Sequence, residues 1–460
     1  MAESNLRFLI DFGSTFTKLV VVDLDREHII GRYQVPSTVG TDITIGLMEI
    51  LRAAKDDIGV EKGEKSDLLA CSSAAGGLRM ITVGLVPSLS SEAGVRAALG
   101  AGAKVVQSFS YELTLYDVME IDKVSPDIIL LIGGTDGGNK KVILHNAERL
   151  SGLSSRAPIV VAGNREARDE IEAIFAGSER ILIFAENVMP AIGTLQVDSC
   201  REAIRQIFIS HIIKAKGIDK ALGIVDADII PTPSAVLMAA ELLAEGTDGE
   251  KGLGELLVVD VGGATTDVYS IARGYPTHSG VMTRGLPEPY AKRTVEGDLG
   301  VRHNIDSLLE MGRLAGDFDE NHFSEIRSRF SSPSRLPEND LEFELDSLLA
   351  GVCVDIAGER HCGKVKVVIG PLGEFAIQEG KDLSGVRCVI GTGGPIVFAR
   401  DPKAVLKKIL FRADAPHVLR PKEALLHIDS AYALYAMGLL SRKEPEIALR
   451  IMKKVVTRVG

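Results

Sequence analysis

The stretch LIDFGSTFTKLVVVDLD, residues 9–25, decides how this chain is interpreted. An apolar strand ends at the acid Asp11, the chain turns at the small residues Gly13–Thr15, and a second apolar strand contains Lys18. Such a turn offers backbone N–H groups that can wrap an anion, as glycine-rich phosphate loops do. An acid beside a phosphate needs a cation, and Mg²⁺ bound partly through waters bridges the two. The hairpin therefore suits a metal–phosphate pair, although a tight hairpin with a solvated Asp and Lys explains the same residues.

A second copy of this design lies roughly 250 residues further along the chain. Placing FLIDFGSTFTKLVVV over LVVDVGGATTDVYSI matches three positions: Asp11 with Asp260, Gly13 with Gly262, and Thr17 with Thr266. Two such copies predict two lobes of one design that face each other. Hairpins converging from two lobes would hold a polyphosphate from both sides, with a hydrated metal between the two acids.

A third glycine-rich turn follows a strand late in the chain, in RCVIGTGGPIVFARDP, residues 387–402. Its glycines, Gly391, Gly393 and Gly394, leave a flat backbone surface that a planar base or a ribose can approach closely. An ordinary strand-to-helix turn has the same composition, so the motif gains weight only from its position after the two hairpins.

Composition indicates a globular protein with an aliphatic core. Of the 460 residues, 45% are hydrophobic and 25% are charged, and tryptophan is absent. The length favours two or more domains, at about 150 residues for each. The net charge is −11 and no block of Lys or Arg is present, which argues against a nucleic-acid-binding protein.

The cysteines and the apolar runs bear on the compartment. Five cysteines are scattered singly, which is typical of free thiols in a reducing cytosol. Cys353, His361 and Cys362 are an alternative metal-ligand set, but no second pair at zinc-site spacing accompanies them. The N-terminus has no basic-then-apolar leader, and no apolar run approaches the roughly 20 residues that cross a bilayer. We therefore expect a cytoplasmic protein that binds neither membrane nor nucleic acid.

Short apolar runs alternate with alanine-rich stretches of helical periodicity, which predicts an α/β fold. The predicted strands include Leu6–Ile10, Lys18–Val22, Ile128–Ile132, Ile159–Val161, Ile181–Phe184, Leu256–Asp260 and Arg387–Ile390. The predicted helices include Ile45–Asp57, Glu92–Ala98, Arg165–Phe175, Ser199–Ala215, Ser234–Glu245, Pro402–Phe411 and Asp429–Leu440. Residues 246–254 and 324–339 have the composition of surface connections. The strand–glycine–helix rhythm restarts within residues 66–184, which predicts an inserted α/β unit.

The order of these motifs resembles that of the actin-like ATPase superfamily, which includes sugar kinases and heat-shock chaperones. That superfamily carries, in chain order, a first phosphate motif, a connecting helix, a second phosphate motif, an adenosine motif and a second connecting helix. The matching segments here, in the same order, are Asp11–Lys18, Pro231–Leu243, Asp260–Asp267, Gly391–Pro395 and Asp429–Leu440. The resemblance implies two ribonuclease H-like lobes around a cleft that binds ATP or ADP with Mg²⁺. It places the first lobe at residues 1–65 and 185–250, an inserted subdomain at 66–184, and the second lobe at 251–460, with helix 429–440 crossing back to the cleft.

A closer resemblance covers nearly the whole chain. It is carried by ACSSAAGGLRM, GLVPSLSSEAGVRAALGAGAKV, LLIGGTDGGN, PTPSAVLMAAELLAEG and RGLPEPYAKRTVEGDLGVRHN. These stretches are similar to the glutamate mutase accessory proteins, the family called GlmL or MutL. That resemblance implies a chaperone-like protein that reactivates an adenosylcobalamin-dependent mutase, whose subunits would be its partners.

One position departs from the heat-shock pattern. In those chaperones the first connecting helix opens with an Asn-Glu-Pro step whose acid helps to position the attacking water. The matching step here is Pro231-Thr232-Pro233, and a hydroxyl aligns water but takes no proton from it at neutral pH. We therefore expect slow hydrolysis, which suits a switch better than a metabolic kinase. Glu186 is a spare candidate acid, and it reads equally as an ordinary surface residue.

Several other polar residues have two interpretations. Asp136 and Asn139, in LLIGGTDGGN, either reach a cleft or a partner or belong to a glycine-rich turn after a strand. Arg293, Glu296 and Asp298 either line the ribose side of a nucleotide or form a solvated charged face. Asp267 is the base that a small-molecule kinase on this fold would offer. Besides the slow ATPase and the small-molecule kinase, a third class is a scaffold protein with an inactive site. The intact acids of both hairpins argue against that class.

The site predicted from the sequence has two parts. The catalytic and metal-holding residues are Asp11 and Asp260. The nucleotide-binding residues are Gly13, Ser14, Thr15, Lys18, Gly262, Gly263, Ala264, Thr265, Thr266, Gly391, Thr392, Gly393 and Gly394.

Overall fold

The chain divides into two compact units in a computed structural model. The structure describes residues 5–38, 41–59, 67–73, 78–208, 224–226, 228–318, 320–329, 335–370 and 373–459. Unit 1 comprises Met1–Ala75, Gly217–Arg284 and Glu288–Gly460, and unit 2 comprises Gly76–Lys216 and Gly285–Pro287. The predicted α/β class is confirmed. The lobe and insert boundaries proposed from the sequence, at 66–184, 185–250 and 251–460, stay predictions.

The strands and helices follow one another along both units. The strands are β1 (Leu6–Phe12), β2 (Phe16–Asp23), β3 (His28–Pro36), β4 (Asp67–Ser72), β5 (Leu78–Gly84), β6 (Ala103–Ser110), β7 (Ile128–Leu131), β8 (Ile159–Val161), β9 (Leu182–Phe184), β10 (Ile230–Pro231), β11 (Leu256–Val261), β12 (Thr266–Ile271), β13 (Val281–Arg284), β14 (Ala291–Glu296), β15 (Lys364–Gly370), β16 (Gly373–Glu379), β17 (Cys388–Thr392), β18 (Leu425–Asp429) and β19 (Val456–Arg458). The helices are α1 (Ile43–Ile58), α2 (Glu92–Gly100), α3 (Leu115–Val124), α4 (Lys141–Ser151), α5 (Arg168–Ile174), α6 (Asp198–Ile207), α7 (Thr232–Glu245), α8 (Ile305–Ala315), α9 (Glu320–Arg329), α10 (Asp340–His361), α11 (Gly394–Val397), α12 (Pro402–Lys407), α13 (Leu434–Leu440) and α14 (Pro445–Val455). Short helical turns at Pro87–Ser91 and Arg165–Ala167 precede α2 and α5.

Each predicted strand overlaps an observed strand, and each predicted helix overlaps an observed helix. Two predicted helices differ in extent from the described ones. Asp429 ends strand β18 instead of beginning the helix, and α13 starts at Leu434. The Asp429 carboxylate accepts hydrogen bonds from the N–H groups of Ala433 and Leu434, which ties the end of the strand to the start of the helix. Of the helix predicted at 199–215, residues 209–215 lie outside the described residues.

Unit 1 contains two sheets with the same succession of strands. In the first sheet the order is β10-β4-β1-β2-β3, with β2 antiparallel to β1 and β3, and β4 parallel to β1. In the second the order is β14-β12-β11-β17-β18-β19, with β12 antiparallel to β11 and β14, and β17 parallel to β11. The sequence repeat thus corresponds to a duplicated sheet, which confirms the predicted pair of ribonuclease H-like sheets.

The central strands are buried along their whole length because both faces of their sheets are covered. Every residue of β1 is buried, and so is every residue of β12. One apolar core joins residues of β1, β2, β4, β11 and β12 to helices α7, α13 and α14. A second core covers the other face of the second sheet and contains much of the long helix α10. A small sheet in the order β13-β16-β15 completes the strands of this unit.

Helices α7 and α13 approach closely because their contact is made by small residues. Ala235, Ala239 and Ala240 are fully buried on α7, and Gly438 on α13 lies directly against the backbone of Ala235. A side chain at Gly438 would collide with the carbonyl oxygen of Ala235, so only glycine permits this crossing.

Unit 2 is a parallel five-stranded sheet in the order β6-β5-β7-β8-β9. Counting from its first strand, this is the order 2-1-3-4-5 of one group of doubly wound α/β folds. Its core is aliphatic and includes Ile81, Ile129, Ile143 and Ile171. In such sheets the loops at the carboxyl ends of the strands carry the variable, functional residues.

No helix among the residues that the structure describes is long and apolar enough to span a bilayer.

The helix crossing generates a prediction about stability. We expect Gly438→Ala to lower the free energy of unfolding by about 1–3 kcal/mol, because the added methyl group forces α13 away from α7. Gly351→Ala is the matched control, since this glycine lies inside α10 and its added methyl group meets only ordinary contacts with Lys408. The control should raise the stability by up to about 1 kcal/mol. Urea denaturation measures the free energy of unfolding of both variants. Equal changes in the two variants would contradict the close contact between Gly438 and Ala235.

Candidate functional site

Both glycine hairpins line one cavity of unit 1. Its volume is about 390 Å³, and its wall includes the turn between β1 and β2 and the turn between β11 and β12. The two turns lie against each other, since a Cβ atom added to Gly263 would be 3.3 Å from Thr15 Oγ1. The sequence repeat therefore brings its two copies to a single place.

Each turn is closed by the same backbone hydrogen bond. The N–H of Gly13 donates to the carbonyl of Phe16 at 3.1 Å, and the N–H of Gly262 donates to the carbonyl of Thr265 at 2.9 Å. Within the part of the chain that the structure describes, the N–H groups of Thr15, Gly263 and Ala264 donate to no protein acceptor. Unpaired N–H groups in a compact turn are what an anion needs.

The register of the first hairpin places its acid and its lysine side by side. Asp11 and Lys18 are direct partners across β1 and β2, and Lys18 Nζ donates to Asp11 Oδ2 at 2.9 Å. From the start of α7, the Thr232 hydroxyl donates to the other carboxylate oxygen, Oδ1, at 2.6 Å. The thiol of Cys71 lies 3.7 Å from the same oxygen. Asp11 is therefore fully engaged within the protein.

Lys18 is held from two sides. Burial alone would lower the pKa of Lys18, but the Asp11 carboxylate and the rings of Tyr432 and Tyr435 outweigh it, so its pKa lies well above the usual value. Its ammonium group is 4.5 Å from the centre of the Tyr432 ring, within cation–π range. Tyr432, two residues before α13, adopts a left-handed backbone conformation with φ of 49°. Lysine and tyrosine thus connect the first hairpin to α13.

Asp260 has a different environment from Asp11, although it occupies the equivalent position. In the described residues no donor contacts its carboxylate, which lines the cavity. Burial, with the nearby charges of Asp267 and Asp11, raises the pKa of Asp260 to about 7, even though Lys18 opposes this shift. Its cross-strand partner is Asp267, whose carboxylate is paired with Arg293 at 2.6 Å. Asp260 is thus the carboxylate that remains available to a ligand.

Apolar and aromatic side chains form part of the cavity wall. They belong to Leu336, Pro337, Phe343, Pro395 and Phe398, and their surfaces suit a planar base. Only Pro395 and Phe398 lie in a motif that the sequence singles out. The others come from the segment before α10 and from α10 itself, and nothing in their local pattern marks them as site residues.

The structure brings most of the predicted nucleotide residues to the cavity. Those that line it are Asp11, Gly13, Ser14, Thr15, Lys18, Asp260, Gly262, Gly263, Ala264, Thr265 and Gly394. Those that do not are Thr266, Gly391, Thr392 and Gly393. The hydroxyl of Thr266 donates to the carbonyl of Leu299, and that of Thr392 donates to Asp429. The ligand-binding roles of all these residues stay predictions.

The polar residues with two interpretations have partners that explain them without a ligand. Arg293 forms an ion pair with Asp267, and Arg360 forms ion pairs with both Glu296 and Asp298. Of these residues Asp267 lines the cavity, and Arg293, Glu296, Asp298 and Arg360 do not. Asp136 accepts hydrogen bonds from the Arg165 N–H and the Asn187 amide, which suits the turn interpretation.

The alternative metal set of Cys353, His361 and Cys362 also has an ordinary explanation. Both ring nitrogens of His361 are hydrogen-bonded, Nδ1 to Thr294 and Nε2 to Ser270, at 2.8 Å each. All three residues are buried. Across the described ranges, no cluster of three or more His, Cys, Asp or Glu side chains has the arrangement of a metal site.

Comparisons with known proteins identify a family. The family model described as MutL protein matches residues 7–456. Protein MutL of Clostridium tetanomorphum is 46% identical over 458 residues, which is 98% of this chain and 99% of that protein.

Solved structures match more distantly. Nucleotide-free acetone carboxylase aligns over 95% of this chain and 70% of its own, with 13% identity and a TM-score of 0.41. The activator of 2-hydroxyisocaproyl-CoA dehydratase from Clostridium difficile, with bound ADPNP, aligns over 99% of both chains, with 10% identity and a TM-score of 0.31. Both TM-scores lie below 0.5, and the family assignment rests on the sequence matches.

The unpaired carboxylate predicts a pH-dependent stability. Because the pKa of Asp260 is about 7 in the folded chain and 3.8 ordinarily, its ionisation opposes folding increasingly as the pH rises between these values. We expect Asp260→Asn to be more stable than the parent chain at pH 8, with a gap that narrows towards pH 4. Thermal denaturation across this range tests the effect. The exposed control Asp25→Asn should show the same dependence of stability on pH as the parent chain. If Asp260→Asn also showed the parent's dependence, the raised pKa of Asp260 would be refuted.

Proposed function

The chain belongs to the MutL protein family, the glutamate mutase accessory proteins, and from this premise we propose that it binds ATP with Mg²⁺ and hydrolyses it slowly. In this proposal the nucleotide drives a chaperone-like action on an adenosylcobalamin-dependent mutase, glutamate mutase. A damaged cobalamin must leave such an enzyme before an intact coenzyme enters. A nucleotide-driven clamp would open the mutase for that exchange.

The observation that carries the nucleotide proposal is the convergence of the two turns. Unpaired N–H groups from both hairpins line the same cavity as Asp11, Asp260 and Lys18. Neither hairpin alone distinguishes a phosphate site from an ordinary turn. Two turns at one cavity whose wall also contains aromatic side chains suit the phosphates and the base of a nucleoside polyphosphate.

The donor set fits Mg²⁺ in the form in which proteins hold it beside a phosphate. Such an ion keeps several waters and needs only one or two carboxylates together with phosphate oxygens. Asp260 would supply the direct or water-mediated contact, and Asp11 the second charge. When bound, Mg²⁺ would neutralise charge on the phosphates, and Lys18 would contribute a further positive charge from the first hairpin.

The chain's own residues favour slow hydrolysis. Thr232 stands at the start of α7, and its hydroxyl is already used to hold Asp11. Asp267, the base required by the kinase alternative, is paired with Arg293 and accepts a hydrogen bond from Thr265. A carboxylate in a buried ion pair is a poor proton acceptor, so the site favours a switch over a kinase.

Two helices connect this site to the core of unit 1. Helix α7 begins at Thr232, which bonds Asp11, and helix α13 begins two residues after Tyr432, which covers Lys18. The same two helices pack tightly together further along, at Ala235 and Gly438. A change at Asp11 or Lys18 when nucleotide binds would therefore shift both helices together, which is how a clamp would be driven.

Nucleotide binding provides the first test. We expect Asp11→Asn to weaken MgATP binding at least tenfold, because it removes the charge that positions Lys18 and that faces the metal. Isothermal titration measures the affinity, with the exposed Asp25→Asn as the matched control. Equal affinity for the parent and Asp11→Asn chains would count against the assignment.

Reactivation provides the second test. Purified glutamate mutase inactivated by damaged cobalamin should regain turnover when the chain, MgATP and fresh adenosylcobalamin are added, and not when ATP is omitted. With labelled ATP, the released phosphate should pass to water. Its transfer to a small acceptor would instead support the kinase.

A further inference from the structure

Unit 2 exposes an apolar face that its own core does not need. Four large side chains are more than half exposed: Tyr111 at 61%, Leu115 at 68%, Tyr116 at 69% and Met119 at 69%. We call these residues the α3 face. Leu115, Tyr116 and Met119 lie on the outward side of α3, opposite the fully buried Ile121. An amphipathic helix normally puts polar residues on that side, so the pattern indicates a surface that another molecule covers.

The loop before α3 is held in a conformation that presents Tyr111 outwards. Tyr111 has a φ of 68°, in the left-handed region, which is costly for a large side chain. Fully buried Asn146 locks this loop, because its amide donates to the carbonyl of Tyr111 at 2.9 Å and its oxygen accepts from the Leu113 N–H at 2.8 Å. Unit 2 thus uses a buried polar residue to fix a strained turn whose side chain contacts little of the unit itself.

The position of the α3 face in the sheet also points to binding. Tyr111 follows β6 directly, at the carboxyl end of a parallel sheet of the 2-1-3-4-5 order. In open α/β sheets, ligands bind outside the carboxyl ends of the strands, so this end carries recognition residues. Tyrosine and methionine are among the residue types enriched at protein interfaces.

The charges around the face select the kind of partner. Residues 111–124 contain four carboxylates, Glu112, Asp117, Glu120 and Asp122, and a single base, Lys123. An acidic rim repels anionic lipid headgroups. In a symmetric dimer through this face, the same acidic rim would meet itself, which disfavours a second copy of the chain. The complementary surface is apolar at its centre and rich in Lys and Arg at its edge.

We propose that the α3 face is the docking surface for the mutase, through an apolar patch with a basic rim on that enzyme. This inference rests on the proposed function for the identity of the partner. It separates the two tasks of the chain, with nucleotide handled by the cavity of unit 1 and recognition of the mutase handled by α3 of unit 2.

The test compares two double variants with the same residue changes. Tyr116→Lys/Met119→Lys alters the α3 face, and Tyr275→Lys/Met282→Lys is the control, because that tyrosine and methionine are also more than half exposed and lie in unit 1. We expect the first variant to raise the Kd for purified adenosylcobalamin-dependent mutase at least tenfold and to leave MgATP affinity unchanged. The control should bind both as the parent does.

Four further results decide the inference. The Kd of the parent chain for the mutase should rise as NaCl is raised from about 50 to about 300 mM, and a salt-independent Kd would overturn the charge argument. Equal mutase binding by the parent and the α3 variant would overturn this inference alone. Self-association of the parent chain that the α3 variant abolishes in sedimentation would show that a second copy covers the face, and would overturn it. Failure of the parent chain to bind mutase in any nucleotide state would overturn the proposed function and this inference together.

Discussion

The salt bridge between Asp11 and Lys18 is the interaction on which the rest of the site depends. The antiparallel register of β1 and β2 places the two residues opposite each other, so the hairpin itself creates the pair. Leaving either charge buried and unpaired would cost about 3–5 kcal/mol. Two distant segments therefore converge on it: Thr232 completes the hydrogen bonds of Asp11, and Tyr432 covers Lys18. Thr232 is the first residue of α7, and Tyr432 lies two residues before α13; both helices run through the core of unit 1.

The duplicated hairpin shows how one scaffold produces two kinds of carboxylate. In the first copy the cross-strand partner of the acid is a lysine, and in the second it is another acid, Asp267. Arg293 on the neighbouring strand neutralises Asp267 and leaves Asp260 without a donor in the described residues. The same backbone design therefore holds one acid in place and keeps the other available. A symmetric pair of neutralised acids could not accept a cation, and a pair without partners would repel each other and destabilise the apo protein.

Packing in unit 1 and packing in unit 2 obey different constraints. In unit 1, small residues let α7 and α13 approach at Ala235 and Gly438, so a movement at one is felt at the other. In unit 2, a compact aliphatic core supports a parallel sheet whose rim carries large exposed side chains and a strained tyrosine. Unit 1 thus carries the cavity between the two hairpin turns, and unit 2 carries the α3 face.

The sequence by itself determined the α/β class, several of the strands and helices, the two hairpins and their relation to each other. These features depend on apolar periodicity and on small residues in turns, which are local, so a short window of sequence contains them. Only the tertiary structure decided which polar groups meet. Thr232 reaches Asp11 across 221 positions, and the aromatic wall at Phe343 has no local signature. The sequence left a ribose-binding role open for Arg293, but its side chain forms an ion pair with Asp267 on the neighbouring strand. Such a pairing depends on sheet order and register, which the local sequence does not contain. The outward direction of Tyr116 and Met119 was equally hidden, since a helix with apolar residues on two sides reads as buried until its neighbours are known.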